Sequence, residues 1–110
     1  MATFDQGDIV LIPYPYTDLS NTKQRPVVII SKNAINRQNF IVAKITSVIR
    51  SDQFSFPIRS KDLNIDMRKS SEVRTNELFT VHRSLVKKKF ASLKKDVLER
   101  LVEKIKNNLE

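Results

Sequence analysis

The sequence has 110 residues, a net charge of +8 at pH 7, one histidine and no cysteine. This length suits one domain, which we expect to span residues 1–110, and the missing cysteines exclude disulfides and thiolate nucleophiles. The single histidine, His82, argues against a zinc site built from His and Cys ligands. The basic excess favours a polyanionic partner, either a nucleic acid or an acidic protein segment, although solubility alone would also account for it.

No targeting or membrane-spanning segment is visible. The N-terminal stretch MATFDQGD has neither the basic nor the apolar region of a signal peptide. The longest apolar runs, such as Val27 to Ile30, are far shorter than a membrane span. We therefore expect a cytoplasmic protein with no membrane partner.

The first predicted element is a strand over residues 9–12, which follows a turn signal at residues 7–8. We expect Pro13 and Pro15 to end this strand because a proline has no N–H to donate to a sheet. Residues 17–24 are polar and rich in turn formers, which predicts a loop.

Three further strands are predicted in the first 60 residues. Pro26 pushes the preceding Arg25 toward extended geometry, and the apolar residues that follow predict a second strand over residues 27–31. Residues 40–47 form the third predicted strand. Residues 54–58 alternate between apolar and polar and include a proline, which is typical of an edge strand.

The second half of the chain contains weaker signals and one clear helix. A short helical turn is one interpretation of residues 63–69, weak strand signals fall on residues 72–74 and 77–81, and periodicity does not settle residues 85–90. Apolar residues recur at helical spacing over residues 94–109, which predicts an amphipathic helix. Several short strands closed by one C-terminal helix indicate a mainly β protein with one helix, a small SH3-like β-barrel.

Most catalytic chemistries are excluded by residues that the chain lacks. A two-histidine ribonuclease mechanism needs a second histidine, and a Gly-rich phosphate loop needs more than the one glycine present. Nucleophilic triads lack a cysteine and have only His82 as a candidate base. Asp5, Asp8 and Asp18 are candidate metal ligands, but their spacing matches no recognised ligand pattern. We expect no metal and no cofactor, and a site of hydroxyls, amides and guanidinium groups, which suits phosphate chemistry through charge stabilisation.

Arg25 is the natural candidate for such chemistry. Its guanidinium is planar, always charged, able to bind two phosphate oxygens at once, and unable to act as a general base. If the substrate is RNA, the 2′-hydroxyl would attack the adjacent phosphate while Arg25 stabilises the charged pentacoordinate state. Thr46 and Ser47, at the end of the third strand, are candidate donors to the same phosphate. The alternative is that Arg25 pairs with a surface carboxylate and that Thr46 is an ordinary strand residue.

Three segments of the sequence resemble the MazF/PemK family of toxin endoribonucleases. The most specific is GDIVLIPYPYTDLSNTKQRPVVIIS at residues 7–31, which is similar to the opening of that family. IVAKITS at residues 41–47 resembles its second active-site strand. RKSSEVRTNELFTVHRSLV at residues 68–86 resembles its third block, which precedes a C-terminal helix. The resemblance thus covers nearly the whole chain.

The resemblance implies a function and a set of site residues. Family members cut single-stranded RNA, including mRNA, without a metal, leave a 2′,3′-cyclic phosphate and a free 5′-hydroxyl, and arrest growth. By position, Arg25 and Thr46 match the catalytic arginine and threonine. The implied substrate-binding residues are Thr17, Asp18, Lys23, Gln24, Ser47, Arg74 and Asn76. The implied partners are a second copy of the chain, in a homodimer, and an acidic antitoxin protein.

Two positions depart from the pattern of some family members. Arg74, Thr75 and Asn76 stand where some members have Arg-x-Asp, and the amide of Asn76 cannot ionise. Gln24, beside Arg25, cannot act as a base either. The acceptor for the proton of the 2′-hydroxyl is therefore unassigned.

Other interpretations stay open at this point. Tyr14 and Tyr16 are candidates for stacking on RNA bases, or for packing in the core or at a dimer interface. A non-catalytic barrel that binds RNA or a protein target is the alternative function. Gyrase poisons belong to this type, but the C-terminal residues Asn108, Leu109 and Glu110 lack the tryptophan associated with that activity.

Overall fold

The computed structural model describes residues 3–14, 23–67 and 69–110. Within them the chain forms six strands and one α-helix, in this order: β1 Asp8–Tyr14, β2 Lys23–Ile29, β3 Asn39–Thr46, β4 Ser55–Ile58, β5 Ser71–His82, β6 Lys88–Ser92 and α1 Lys95–Asn107. Single turns of 3-10 helix lie at Asn33–Ile35, Ser60–Asp62 and Arg83–Leu85. No helix in this described part is long and apolar enough to cross a membrane.

The six strands form one antiparallel sheet with the strand order β4-β5-β3-β2-β1-β6. The sheet is curled, so that the segments after its two edge strands meet. Leu63, after β4, forms an isolated bridge with Leu93, after β6, and the Lys94 amide donates to the Asp62 carbonyl at 2.9 Å. This half-barrel with its C-terminal helix confirms the mainly β, SH3-like fold that the sequence predicts.

One face of the sheet, called here the helix face, packs against α1. The helix buries Val97, Leu101 and Ile105, which recur at the spacing that the sequence predicts. The sheet residues that complete this core are Ile9, Val28, Ala43, Ile45, Phe56, Ile58, Val73 and Ala91.

The opposite face of the sheet, called here the second face, has an apolar end and a polar end. Its buried apolar residues are Val10, Ile12, Val27, Ile29, Phe40, Val42 and Val81. Alternate residues of a strand share a face, so β2, β3 and β5 continue this face with polar side chains. These polar residues are Arg25, Lys44, Thr46, Glu72 and Arg74.

The predicted end of the first strand is wrong. Pro13 pairs with Gln24, and β1 continues to Tyr14. A proline is tolerated there because β6 pairs with β1 only as far as Leu11, so this part of β1 is bonded to β2 alone within the described sheet. Pro15, the other residue expected to end the strand, lies outside the described residues.

The predicted start of the second strand is also wrong. β2 begins at Lys23 and ends at Ile29, whereas the sequence predicts residues 27–31. Arg25 therefore lies inside a strand, and both its neighbours along the chain are bonded into the sheet register with β1. Most of the loop predicted at residues 17–24 lies outside the described residues.

The middle of the chain follows the predictions more closely. β3 matches its predicted position to within one residue, and β4 is an edge strand as expected. β5 is a single strand that covers both weak signals. Its pairing shifts where Ala43 faces Leu78 but Lys44 faces Arg74, so residues 75–77 bulge out and interrupt the alternation.

The C-terminal third resolves the segments that periodicity left open. The helical turn considered for residues 63–69 lies earlier, at Ser60–Asp62, and Leu63 instead forms a bridge. The lysine-rich segment becomes β6, the second edge strand of the sheet. The predicted helix is confirmed, with Lys95–Asn107 as its bounds.

Candidate active site

Arg25 and Thr46 line the same cleft at the polar end of the second face. The ladder between β2 and β3 ends where Val27 pairs with Lys44, and its register, extended by two residues, leads to Arg25 on β2 and Thr46 on β3. On its other side Arg25 pairs with Ile12 of β1. Strand pairing thus brings together an arginine and a threonine that are far apart in sequence.

These two residues line a cleft with a volume of about 340 Å³. The described residues of its lining are Arg25, Pro26, Lys44, Ile45, Thr46, Ser47, Val48, Arg50 and Ser71. They supply three cationic side chains and three hydroxyls, and none of them is a carboxylate or an imidazole. This part of the cleft is positively charged and suits an anionic ligand that accepts hydrogen bonds.

The guanidinium of Arg25 has a hydrogen-bond donor that no described residue uses. The side chain is half-buried, and its Nε is shielded from solvent with no partner among the described residues. An unpaired buried donor costs about 1–3 kcal/mol, and more when the group is charged. Arg83 also has an unpaired Nε, but its guanidinium lies over the ring of Phe40. Arg25 lines the cleft, where a phosphate oxygen would complete its hydrogen bonds.

The hydroxyl of Thr46 is oriented by the chain that follows it. Its Oγ1 accepts a hydrogen bond from the Val48 amide at 3.1 Å, a local turn typical of Ser and Thr. Because this contact uses a lone pair of the oxygen, the hydroxyl proton of Thr46 stays available for donation. Ser47, the next residue, is exposed and adds a second hydroxyl to the lining.

A buried carboxylate stands next to Thr46 in the sheet. Glu72 of β5 is the cross-strand partner of Thr46 and is 1% exposed. Its Oε1 accepts from the amides of Arg50 at 3.1 Å and Ser51 at 3.4 Å. Its Oε2 accepts from the Ser55 hydroxyl at 2.7 Å and from the Arg74 guanidinium at 2.6 Å. Glu72 therefore ties β5 to the loop at residues 47–54.

Arg74 is buried among three carboxylates. It is 3% exposed and forms a bidentate ion pair with Asp52, with both contacts at 3.0 Å. Its remaining ion pairs reach Glu72 and, through Nε at 3.3 Å, Glu77. Together with Glu72, Asp52, Ser55 and Glu77, Arg74 forms a group that we call the Glu72 cluster.

The Glu72 cluster lowers the pKa of two of its carboxyl groups, those of Glu72 and Asp52. Burial alone would raise the pKa of Glu72, but the hydrogen bonds from Ser55 and Arg74 and from the two loop amides outweigh burial and lower that pKa. The hydrogen bond from Arg74 lowers the pKa of Asp52 from its ordinary 3.8 to about 2. The bonds to Asp52 and Glu72 in turn raise the pKa of Arg74.

The structure brings together three of the site residues that the sequence predicts: Arg25, Thr46 and Ser47 all line the cleft. Lys23 and Gln24 are exposed at the start of β2, and Asn76 is exposed in the bulge of β5. Arg74 lies in the Glu72 cluster and does not line the cleft.

Several predictions fall on parts of the chain that the structure leaves undescribed. Thr17 and Asp18, two of the implied substrate-binding residues, are among them. The side chains of Tyr14 and Tyr16, the candidate stacking residues, also lie outside the described residues.

Three polar residues of the described lining, Lys44, Arg50 and Ser71, are not among the site residues that the sequence predicts. Lys44 stands two positions before Thr46 on the same strand, so the strand period alone would have placed it on the same face. Arg50 belongs to an irregular loop and Ser71 to the first position of β5, where no pattern in the sequence signals a cleft.

The other titratable residues that were candidates for chemistry form hydrogen bonds or ion pairs outside the cleft. Asp8 is buried, accepts from the Asp5 amide and the Ser92 hydroxyl, and pairs with Lys89. His82 is exposed at the opposite end of β5 from Glu72, where its Nδ1 contacts Ser84. Neither residue lines the cleft.

A second cleft, of about 390 Å³, runs along α1. Its described lining residues are Gln6, Lys95, Leu98, Glu99, Val102, Glu103 and Lys106. Carboxylates alternate with lysines there and no hydroxyl is present, so its chemistry does not match that of a phosphate site.

Comparison with known proteins identifies the family. A profile of the PemK-like, MazF-like toxins of type II toxin–antitoxin systems matches residues 5–109, nearly the full length. The chain belongs to this family. The match confirms the resemblance seen in the sequence, and it makes the chain a member of a toxin family. No curated protein sequence matches it significantly.

Solved structures of MazF toxins share the fold. Toxin MazF-mt6 of Mycobacterium tuberculosis superimposes with a TM-score of 0.73 at 20% identity, over 93% of this chain and 95% of that one. MazF from Deinococcus radiodurans superimposes with a TM-score of 0.76 at 19% identity, over 99% and 98%. An endoribonuclease bound to its cognate antitoxin, from a mycobacterial species, gives 0.72 at 12% identity, over 97% and 95%. At these identities the likeness establishes the MazF fold.

Proposed function

We propose that this MazF/PemK-family toxin is an endoribonuclease that cuts single-stranded RNA in the cytoplasm without a metal and so arrests growth. The observation that carries the proposal is that Arg25, Thr46 and Ser47 line one cleft, whose described lining contains no carboxylate to neutralise the guanidinium. A guanidinium beside hydroxyl donors is a binding site for a phosphate, and RNA supplies its own nucleophile next to each phosphate. Among the solved structures that share the fold are two endoribonucleases from mycobacterial species, which supports the same conclusion.

In the proposed reaction the 2′-hydroxyl attacks the adjacent phosphorus and the bond to the 5′-oxygen breaks. The products are a 2′,3′-cyclic phosphate and a 5′-hydroxyl. Arg25 stabilises the negative charge that builds up on the phosphate oxygens, and the Thr46 hydroxyl donates to one of them. The nucleophile loses one proton and the departing oxygen gains one, and the amides of Gln24 and Asn76 cannot carry out either transfer.

Cations of the cleft set the class of substrate. Lys44 and Arg50 line the cleft together with Arg25, and the three cations would attract the phosphates of a polyanion. The absolute requirement is the 2′-hydroxyl, since without it the chain has no nucleophile to activate. DNA of the same sequence should therefore bind without being cut.

The same charge supports the two protein partners that we propose. An acidic antitoxin segment would occupy the positively charged cleft and exclude RNA, and MazE–MazF complexes from Deinococcus radiodurans share this fold. We also propose that the toxin acts as a homodimer. Reversal of the charges of Lys44 and Arg50 should weaken antitoxin binding if the antitoxin occupies the cleft.

The test is cleavage of a long single-stranded RNA in EDTA, with the end groups mapped at each cut. We expect discrete cuts with cyclic-phosphate ends from the wild-type protein. Arg25→Ala should remove cleavage while leaving the protein folded. Arg37→Ala is the matched control, because Arg37 is an exposed arginine in the segment between β2 and β3, at the far end of β2 from Arg25.

Two outcomes would overturn the proposal. Full cleavage by a folded Arg25→Ala protein would mean that Arg25 is not the catalytic group. Intact RNA after incubation of varied sequences with the wild-type toxin would instead favour a barrel that acts by binding a protein target.

A further inference from the structure

The loop at residues 47–54 forms a large part of the cleft wall, and a residue outside the cleft holds it in place. Ser47, Val48 and Arg50 of this loop line the cleft. The Arg50 amide donates to Glu72, which lies on β5 and does not line the cleft itself. The position of the loop, and with it one wall of the site, therefore depends on a residue outside the site.

The backbone of this loop adopts a conformation that needs support. Ser51 has a φ of 51°, in the left-handed region that residues other than glycine rarely occupy. Such a conformation persists when its surroundings determine it, and the Ser51 amide is one of the groups that Glu72 binds. Further along the loop, the Asp52 carboxylate accepts hydrogen bonds from the Phe54 amide and from both terminal nitrogens of Arg74.

The loop also controls the proposed catalytic hydroxyl. The Val48 amide donates to Thr46 Oγ1, and Val48 stands two residues before Arg50, the first residue that Glu72 holds. Arg74 and the Arg50 amide both donate to Glu72, the chain from Arg50 leads back to Val48, and the Val48 amide donates to Thr46. These links connect Arg74 to the oxygen of Thr46. Glu72 additionally faces Thr46 across the ladder, so both ends of this series of links lie in neighbouring strands.

We propose that Glu72 is a positioning residue of the site: it fixes the loop so that the Val48 amide holds the Thr46 hydroxyl with its proton directed at the substrate phosphate. This inference rests on the proposed ribonuclease function. It gives Arg74 a role as the counter-ion that permits a buried carboxylate at position 72, in place of the contact with substrate that the sequence suggests.

Only a carboxylate can make this set of contacts. Glu72 accepts four hydrogen bonds, two on each oxygen, from two loop amides, a hydroxyl and a guanidinium. A glutamine of the same shape has one oxygen, so its NH₂ group would face two of those donors. The charged Arg74 guanidinium forms the stronger hydrogen bond and keeps the amide oxygen, so the NH₂ group faces the loop amides and Glu72→Gln releases the loop without creating a cavity.

The first experiment is a double-mutant cycle on RNA cleavage with Glu72→Gln and Thr46→Val. Glu72→Gln alone should lower kcat by about tenfold to a hundredfold and leave KM nearly unchanged, because the lost contact forms in the transition state. In the Thr46→Val background the same change should cost almost nothing, since the hydroxyl that it positions is already gone. An equal loss in both backgrounds would mean that Glu72 acts through stability alone, and would overturn the proposal.

Asp62→Asn is the matched control. Asp62 is also a buried carboxylate that accepts a loop amide, that of Arg59, but its loop follows β4 and does not reach the cleft. Its substitution should lower stability without changing kcat. A fall in kcat equal to that of Glu72→Gln would contradict a specific role for Glu72.

The second experiment is amide hydrogen exchange of the RNA-free protein, which needs no activity. Glu72→Gln should speed the exchange of the Val48, Arg50 and Ser51 amides by at least about tenfold relative to the amides of β1. Unchanged protection of Val48 would overturn the positioning role even if cleavage is lost. Failure of the wild-type toxin to cut RNA would instead count against the proposed function, so the two failures are distinguishable.

Discussion

The two faces of the curled sheet differ in the side chains that they carry. The helix face carries an apolar core and its partner is α1, whose buried side chains close that core. The second face is apolar over half its length and then changes to Arg25, Lys44, Thr46, Glu72 and Arg74. The helix face therefore contributes chiefly to stability, while the second face holds charges that must be paired or offered to a ligand.

Within the polar end, two arginines show the difference between a structural and a functional charge. Arg74 is buried with its nitrogens bonded to three carboxylates. Arg25 is half-buried with an Nε that no described residue bonds. A buried charge that is fully paired has no capacity left for a substrate, whereas an unpaired donor gains by binding one. This difference separates Arg25, which the sequence predicts to be catalytic, from Arg74, which the sequence predicts to bind substrate.

The largest expected effect is a loss of stability when the core on the helix face is disrupted. Leu101→Ala removes a side chain of α1 that is 0% exposed and should lower the free energy of unfolding by about 2–5 kcal/mol. Cleavage per folded molecule should not change, because Leu101 does not line the cleft. Urea unfolding measures the stability, and Leu109→Ala, at an exposed position, is the control. A specific loss of activity in folded protein would show that the faces are coupled.

A smaller effect tests the Glu72 cluster by pH. The pKa of Asp52 is lowered to about 2 in the fold, so its ion pair with Arg74 stabilises the protein fully above the ordinary value of 3.8. That stabilisation is lost as the pH falls toward the lowered pKa, and the lowered pKa of Glu72 acts in the same direction. The difference in unfolding midpoint between wild type and Asp52→Asn should therefore shrink from pH 5 to pH 2. A difference that is constant over this range would refute the ion pair.

Sequence reasoning found the elements with a strong local pattern and missed those that depend on pairing. The helix and β3 were placed because periodicity records which side chains are buried. The bounds of β1 and β2 were wrong because Pro13 is acceptable only where β6 has already ended, which is a fact of topology. The two separate strand signals over β5 arise from a bulge at residues 75–77, and no residue type in the sequence predicts that bulge.

The residues of the candidate site were likewise predicted only in part. Arg25, Thr46 and Ser47 followed from a family resemblance together with the chemistry of phosphate, and the structure places all three on one cleft. The role of Arg74 could not be read from its type, because guanidinium groups bind carboxylates and phosphates with the same geometry. Only the presence of Asp52, Glu72 and Glu77 around it decides between the two.

The smallest expected effect sharpens the comparison inside the cluster. Glu77 pairs with Arg74 as Glu72 does, but its side chain is 39% exposed and it bonds no loop amide in the described structure. Glu77→Gln should lower stability by less than about 1 kcal/mol, the range of exposed ion pairs, and should leave the protection of the Val48 amide unchanged.

Glu77 also contacts Lys44 at 3.6 Å, so its removal leaves a cation of the cleft with one carboxylate fewer nearby. We therefore expect Glu77→Gln to bind RNA slightly more tightly, with an unchanged kcat, measured by RNA titration at two salt concentrations. Raised salt should reduce the gain because the contact is partly exposed. A loss of kcat as large as that of Glu72→Gln would mean that neutralising any partner of Arg74 disturbs the site, and that the bonds from Glu72 to the loop are not what matters.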